Sequence, residues 1–203
     1  DFRKARQLAR TSRDLYQEKI DRRPSLAHNT AVRKKFAEVY FVLAQVSAHM
    51  DIGEALFYID KSIALNHTAR YDKKKGLLLM QAGRYNEALT ALQQSFFKAP
   101  DFWRVFLPIG QAMTAGGNIS RGYWYYRRYL RKALNEKPFF TPIYLYLAEN
   151  RYLAGQSAQG DQYLRKFLYL TPNHEVARVC KKMAGTHPDM VPFSQKEMMR
   201  EKV

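Results

Sequence analysis

The sequence predicts an all-α fold in which antiparallel helix hairpins stack into an array, about four hairpins flanked by an N-terminal and a C-terminal helix. Three observations carry this expectation. The segment RYDKKKGLLLMQAGRYNEALTALQQSFFKAPD, 70–101, places helical patterns on both sides of Ala82-Gly83-Arg84, and a glycine there suits a helix C-terminus because it takes positive φ at no steric cost. Turn glycines recur at Gly83, Gly117 and Gly155, 34 and then 38 residues apart. Closing prolines recur at Pro100, Pro138 and Pro172, 38 and then 34 residues apart, so both columns keep one period with a single four-residue insertion between them.

Taken in chain order, residues 2–21 read as a basic amphipathic helix whose sparse apolar positions are Ala5, Leu8, Ala9, Leu15 and Tyr16. Within segment 1–34 it forms a lead-in packed on the first repeat. The first hairpin, 35–68, is a degenerate copy: Gly53-Glu54-Ala55-Leu56 echoes Asn86-Glu87-Ala88-Leu89 at a distance of 33, and Ile59 and Ile63 follow on the same face. Its turn, His49-Met50-Asp51, has no glycine. The second hairpin, 69–102, carries small residues, Gly76 and Ala88, where two helices cross closely. Pro100 ends it, because proline supplies no N–H and clashes with the preceding turn. The third, 103–140, gives Phe106, Gly110, Gly117, Ile119 and Gly122 at corresponding places, with Tyr126 and Tyr129 as packing residues. Its late proline reads as one extra helical turn, Arg131 to Glu136, and Pro108 is expected to kink or shorten the first helix. The fourth, 141–172, opens with Pro142 at the first helical position and continues through Tyr144, Leu147, Ala148, Gly160, Leu164 and Phe167. In 173–203 a last helix, Glu175 to Ala184, caps the stack. The remainder begins with turn formers and ends as a short helix or a loose tail.

The central unit resembles the tetratricopeptide repeat, whose 34-residue pattern wants a small residue in the first helix, Gly-x-aromatic at the turn, Ala early in the second helix and Pro at the end. Gly76, Gly83, Tyr85, Ala88, Leu92 and Pro100 stand at those offsets. The resemblance covers about residues 35–172, some two-thirds of the chain, and implies a right-handed superhelix of hairpins. In that family the first helices line a concave groove that holds ligands. Carried onto this chain, the groove residues are Tyr40 and Ala44; Arg70, Lys73, Leu77 and Met80; Arg104, Leu107 and Gln111; and Leu145, Glu149 and Tyr152. Mixed apolar and basic, such a groove suits an extended or helical segment with hydrophobic anchors and negative charge. The family's two-carboxylate clamp for an acidic chain terminus does not transfer, because Leu77 stands where the clamp wants Asn and Pro108 intrudes in the next first helix.

Composition bounds the chemistry. A hydrophobic content of 46% over 203 residues allows a sizeable core. A single cysteine, Cys180, excludes an internal disulfide framework and a multi-cysteine metal site, and it reads as a small buried apolar residue. The five histidines, His28, His49, His67, His174 and His187, are scattered at turns and helix ends, so no metal site and no cofactor is expected. Phosphate-cradling glycine loops, a nucleophile elbow and a carboxylate pair are all missing, which points to no enzyme activity. Two glycosylation-type triplets, Asn66-His67-Thr68 and Asn118-Ile119-Ser120, are expected at chance frequency. No apolar run is long enough to span a bilayer. A start at Asp1 without Met reads as a piece of a longer protein, with a lean toward a membrane-associated bacterial one.

The formal charge of +16 is segmental. Residues 1–35 hold eleven Lys/Arg against four Asp/Glu, a net +7; residues 36–68 hold one against four, a net −3; residues 69–140 hold thirteen against four, a net +9. Such a surface attracts acidic partners of any kind. Its densest stretch is RGYWYYRRYLRK, where Arg121, Trp124, Arg127, Arg128, Arg131 and Lys132 project outward from a second helix. Three readings remain open there: core packing beneath a solvated basic face, an acidic protein or anionic membrane surface, and RNA or DNA, whose phosphates meet arginine and whose bases stack on rings.

These readings converge on a non-catalytic protein–protein interaction scaffold whose partner carries an acidic or amphipathic segment. Family analogy extends this to a membrane-associated bacterial envelope or exopolysaccharide secretion complex, and an anionic membrane close to residues 2–35 would account for the net +7 there. The alternative is a helical-repeat binder of RNA or another polyanion.

Overall fold

The structure, a computed structural model, describes residues 2–136 and 139–172. Pro138, the expected helix 175–184 with Cys180, both C-terminal histidines and the tail lie outside the described residues. Every regular element among the described residues is helical. The chain divides into two compact units, Asp1–Gly116 and Gly117–Val203.

In the first unit, α1 (Phe2–Arg22) leads through a 3-10 turn, Pro24–His28, into α2 (Thr30–Ser47), α3 (Ile52–Leu65), α4 (Ala69–Gln81) and α5 (Tyr85–Lys98). A second 3-10 turn, Trp103–Val105, then opens α6 (Phe106–Ala115). Each helix packs on the next in sequence. Local chemistry sets the starts. Asn29 Oδ1 accepts from the N–H groups of Ala31 and Val32, Asp51 from that of Glu54, and Thr68 from that of Tyr71, each such cap being worth about 1 kcal/mol.

The turn after α4 needs glycine: Gly83 has φ +72°, its N–H donates to the Met80 carbonyl, and the Arg84 N–H donates to that of Leu79, the paired closure of a left-handed helix end. Between α2 and α3, where no glycine stands, no residue is left-handed. There Met50 and Asp51 both donate to the Ser47 carbonyl before Asp51 caps α3. The hairpin repeat is visible in side-chain bonds as well. Ser62 Oγ donates to the Ala37 carbonyl at 2.8 Å and Ser95 Oγ to the Ala69 carbonyl at 2.7 Å, each tying the end of a second helix to a first helix.

Leu43, Ile59 and Leu78 are fully buried with Phe41, Ala55, Tyr58 and Tyr71 in one cluster, each large aliphatic contributing about 1.5–3 kcal/mol by leaving water. At Gly76 an added Cβ would stand 2.6 Å from Leu92 Cγ, so α4 and α5 cross at a distance only glycine permits. Pro108 sits in the first turn of α6, which runs ten residues. Its missing N–H costs little there, and the residues ahead form the tighter 3-10 turn instead.

The second unit comprises α7 (Ile119–Ala133), α8 (Ile143–Leu153) and α9 (Ser157–Leu170). Asn118 caps α7 by accepting from the Arg121 N–H. Gly117 and Gly155 take φ +85° and +71°, and the bonds Gly155 N–H to Tyr152 O and Gln156 N–H to Arg151 O repeat the closure seen at Gly83. α7 packs on α8 and α8 on α9, with Tyr126, Ile143, Leu147 and Phe167 buried.

Two expectations need correction. The four-residue insertion is not an extra helical turn at 131–136: α7 ends at Ala133 and the added residues lie in the connection to α8. Tyr129 and Ala133 are the last buried positions of α7, whereas Leu134 is 58% exposed, so a longer helix would have no face to bury. Phe140 folds back instead, edge-on to Tyr129 with centroids 6.1 Å apart. On α1, Leu8 and Leu15 face solvent at 70% and 58% exposure. The docked side carries Ala9, Tyr16 stacked on Phe36, and Arg6 and Arg10, both of which pair with Glu54 of α3.

Candidate interaction surfaces

The groove residues expected from the sequence are divided between the two units. On the first unit, Arg70 of α4 lies over the Phe41 ring at 4.1 Å and donates to Glu38 at 3.3 Å. Glu38 also accepts from Tyr71 Oη at 2.6 Å; burial, then this carboxylate, pushes the Tyr71 phenol up to about 12. The charge of Arg70 is therefore largely answered by α2. Lys73 differs. It is half-buried with its ammonium 4.5 Å from the centre of the Phe102 ring, and burial first, then the nearby charge of Arg104, lowers its pKa. Neighbouring Lys74 is lowered by burial as well. No carboxylate among the described residues pairs with either lysine, whereas Lys75 reaches Asp60 at 2.8 Å.

Leu77, Met80, Leu107 and Gln111 are half-buried, and Met80 packs against the cluster of Leu79, Ala88 and Ala91. Arg104 is exposed with its guanidinium 5.5 Å from the Trp103 ring. Tyr40 is engaged in packing between Phe36 and Tyr58, with centroids 4.8 and 6.0 Å away, and Ala44 is fully buried. On the second unit Leu145 is 7% exposed and Glu149 half-buried. Tyr152 lies over Gly160, its ring where a Cβ would stand, and its hydroxyl donates to Asp161 at 2.7 Å. Repeat register identifies the outward side of a first helix in an ideal array, but ring-on-ring packing at Tyr40 and hairpin closure at Tyr152 occupy that side here.

On α7, Arg121, Trp124, Arg127, Arg128, Arg131 and Lys132 are all exposed, while Tyr126 and Tyr129 are buried. Arg128 lies over the Trp124 ring at 4.9 Å, and Tyr125 meets the same indole at right angles with centroids 4.9 Å apart; the indole is 53% exposed.

Beside this face lies a cluster that sequence reasoning missed. Tyr123 of α7 and Tyr163 of α9 share a hydroxyl–hydroxyl bond of 2.8 Å, and Arg127 Nη1 stands 3.4 Å from both oxygens. Beneath the Tyr123 ring, at 3.6 Å from its centre, is the guanidinium of buried Arg151, which donates to Gln156 and Asn150 and has no partner for Nε. Burial raises both phenols. At Tyr123 it is outweighed by the hydrogen bonds with Tyr163 and Arg127 and by the two guanidinium charges, so this phenol ionises below the ordinary tyrosine range while Tyr163 is raised. These residues lie 28 and 40 positions apart, and no motif spacing joins them.

Among the described residues no group of His, Cys, Asp and Glu could hold a metal, and no helix is long and apolar enough to cross a membrane. His67 instead pairs with buried Asp72 at 2.8 Å, which Lys98 also reaches at 2.8 Å.

No protein-family model matches the sequence, and no curated protein matches it. Solved structures do match. MamA residues 41 to the end from Desulfovibrio magneticus RS-1 superposes with a TM-score of 0.60 at 19% identity, covering 80% of this chain and 94% of that one. PilF of Pseudomonas aeruginosa gives a TM-score of 0.58 at 19% identity over 97% and 99%. YrrB, described as a TPR protein with an unusual peptide-binding site, gives 0.59 at 14% identity over 81% and 88%. At these identities the likeness shows the fold, and that fold is of the tetratricopeptide type.

Proposed function

We propose that this tetratricopeptide-type array is a non-catalytic protein-interaction scaffold that takes an acidic or amphipathic segment of a partner on the α4 side of its first unit. One observation carries the reading: the half-buried ammonium of Lys73, held on Phe102 beside Arg104 without a carboxylate among the described residues. Placing two cations together and withdrawing one from water is unfavourable until an anion arrives, and a partner's carboxylate there would offset both costs. The half-buried apolar surfaces of Leu77 and Leu107 offer anchors for the rest of such a segment. The peptide-binding site of YrrB is a precedent on the same fold. The test is fluorescence polarisation with a labelled synthetic peptide carrying leucine anchors and glutamates. Lys73→Glu should weaken binding at least about tenfold, a difference of about 1.4 kcal/mol; unchanged affinity would refute this placement.

A second reading, a binder of RNA or another polyanion, is favoured by the exposed Trp124–Arg128 stack among four further cations on α7. It requires affinity that falls steeply and linearly in log–log form with salt, whereas apolar anchoring persists. The setting proposed is a membrane-associated assembly of the bacterial envelope or exopolysaccharide secretion kind. What supports it is family analogy and the net +7 of residues 1–35.

A further inference from the structure

We infer that Tyr123 and Arg127 of α7 and Tyr163 of α9 form an oxyanion-binding site on the second unit. The ligand is a carboxylate or phosphoryl oxyanion carried by a partner. The site stands on donor geometry. Of the two hydroxyls sharing the 2.8 Å bond, one donates to the other and the second keeps its hydrogen. Arg127 directs Nη1 at both hydroxyl oxygens, each at 3.4 Å. Its Nε–H and Nη2–H groups, the edge of the guanidinium that grips an oxyanion through two parallel bonds, have no partner among the described residues.

The surroundings favour negative charge. Arg151, 7% exposed, lies flat beneath the Tyr123 ring and is answered only by the amide oxygens of Gln156 and Asn150. Two guanidiniums thus converge on one phenol, and neither is paired with a carboxylate among the described residues. The cluster is held in place by structure rather than by ligand: Tyr163 stacks on Tyr144 with centroids 6.4 Å apart, and the Tyr123 and Tyr163 rings meet edge to face at 6.4 Å. Donors preset in this way lose little freedom when an anion binds.

The inference does not rest on the groove around Lys73, so either can fail alone. Full-length chain labelled with carbon-13 at the tyrosine ζ position is titrated with sodium phosphate and, separately, sodium acetate, each at constant ionic strength against chloride. Loss of one signal in Tyr123→Phe and in Tyr163→Phe assigns the two resonances. The expected result is a saturable shift of both, weakened at least about tenfold in Arg127→Gln, a substitution on an exposed helix face whose fold is checked by circular dichroism. Saturation by acetate supports the site and identifies a carboxylate-bearing partner; saturation by phosphate alone supports it and identifies a phosphoryl-bearing one. Shifts that never saturate with either anion, or that saturate equally in Arg127→Gln, overturn the proposal.

Discussion

The attachment of α1 offers the sharpest test of what holds this molecule together. Leu8 and Leu15 point to solvent, Ile20 is half-buried, and among the α1 residues whose burial is described only Ala9 is buried below a tenth of full exposure. Docking therefore depends on a polar hub at Glu54 of α3, which accepts from Arg6, from Arg10 at 2.7 Å, from Ser47 Oγ at 2.9 Å and from Tyr58 Oη at 3.2 Å. The hydrogen bond from Arg6, against some opposing desolvation and with help from Arg10 and Ser47, lowers the Glu54 carboxyl from 4.5 to about 2.

A shift of that size corresponds to a ceiling of about 3.4 kcal/mol. Glu54 is 17% exposed but Arg6 and Arg10 are 26% and 43% exposed, and solvent screening reduces the figure to about 1–2 kcal/mol. Because the folded-state value lies below the unfolded one, this stabilisation is complete above pH 4.5 and is lost as pH falls through about 2. Glu54→Gln keeps the shape and removes the charge. Hydrogen exchange followed by mass spectrometry should show amides of residues 5–20 losing protection by a factor of about 5–30 at neutral pH, with α4 and α5 changed much less. The wild type should show the same selective loss on acidification between pH 4.5 and 2. Unchanged α1 protection in the variant, or equal loss across α1, α4 and α5, would refute the reasoning.

Two glycine substitutions separate backbone strain from steric crowding. Gly83→Ala meets no atom within 4 Å but must hold φ +72°, so it should cost about 1–2 kcal/mol through conformation alone. The measurement is a lowered urea midpoint at constant slope. Gly76→Ala has ordinary helical backbone but places a methyl 2.6 Å from Leu92 Cγ and 2.8 Å from Cδ2, costing about 1–3 kcal/mol by overpacking against up to about 1 kcal/mol regained in helix propensity. Leu92→Ala alone costs more than that, about 2–5 kcal/mol, because Leu92 is fully buried. In its background Gly76→Ala should lose its penalty, so that the double variant is at least as stable as Leu92→Ala alone, whereas the penalty of Gly83→Ala should be the same in both backgrounds.

Much of the local architecture was legible in residue spacing because its determinants are local. The left-handed positions at Gly83, Gly117 and Gly155 follow from where glycine stands, and the close α4–α5 crossing from Gly76. The exposed α7 cations and its buried Tyr126 and Tyr129 follow from the helical period. Register reading failed where a competing contact won. Leu8 and Leu15 look like an apolar stripe, yet the side of α1 that docks carries the ion pairs to Glu54; Arg131–Glu136 looks like added helix, yet α7 ends at Ala133 and Leu134, the next residue, is 58% exposed.

By itself, then, the sequence determined the helix hairpins, their turns and the segmental charge, since each depends on residues within a few positions or on one recurring period. Which charges are answered was decided only by tertiary structure. Arg70 and Lys73 are three residues apart on one helix, yet folding gives the first Glu38 and leaves the second on Phe102 beside Arg104. Tyr123, Arg127, Arg151 and Tyr163 become one cluster only when α7, α8 and α9 pack. The physical reason is range: a turn or a helix is closed by neighbours in the chain, whereas a charge is compensated by whatever the fold brings within about 4 Å.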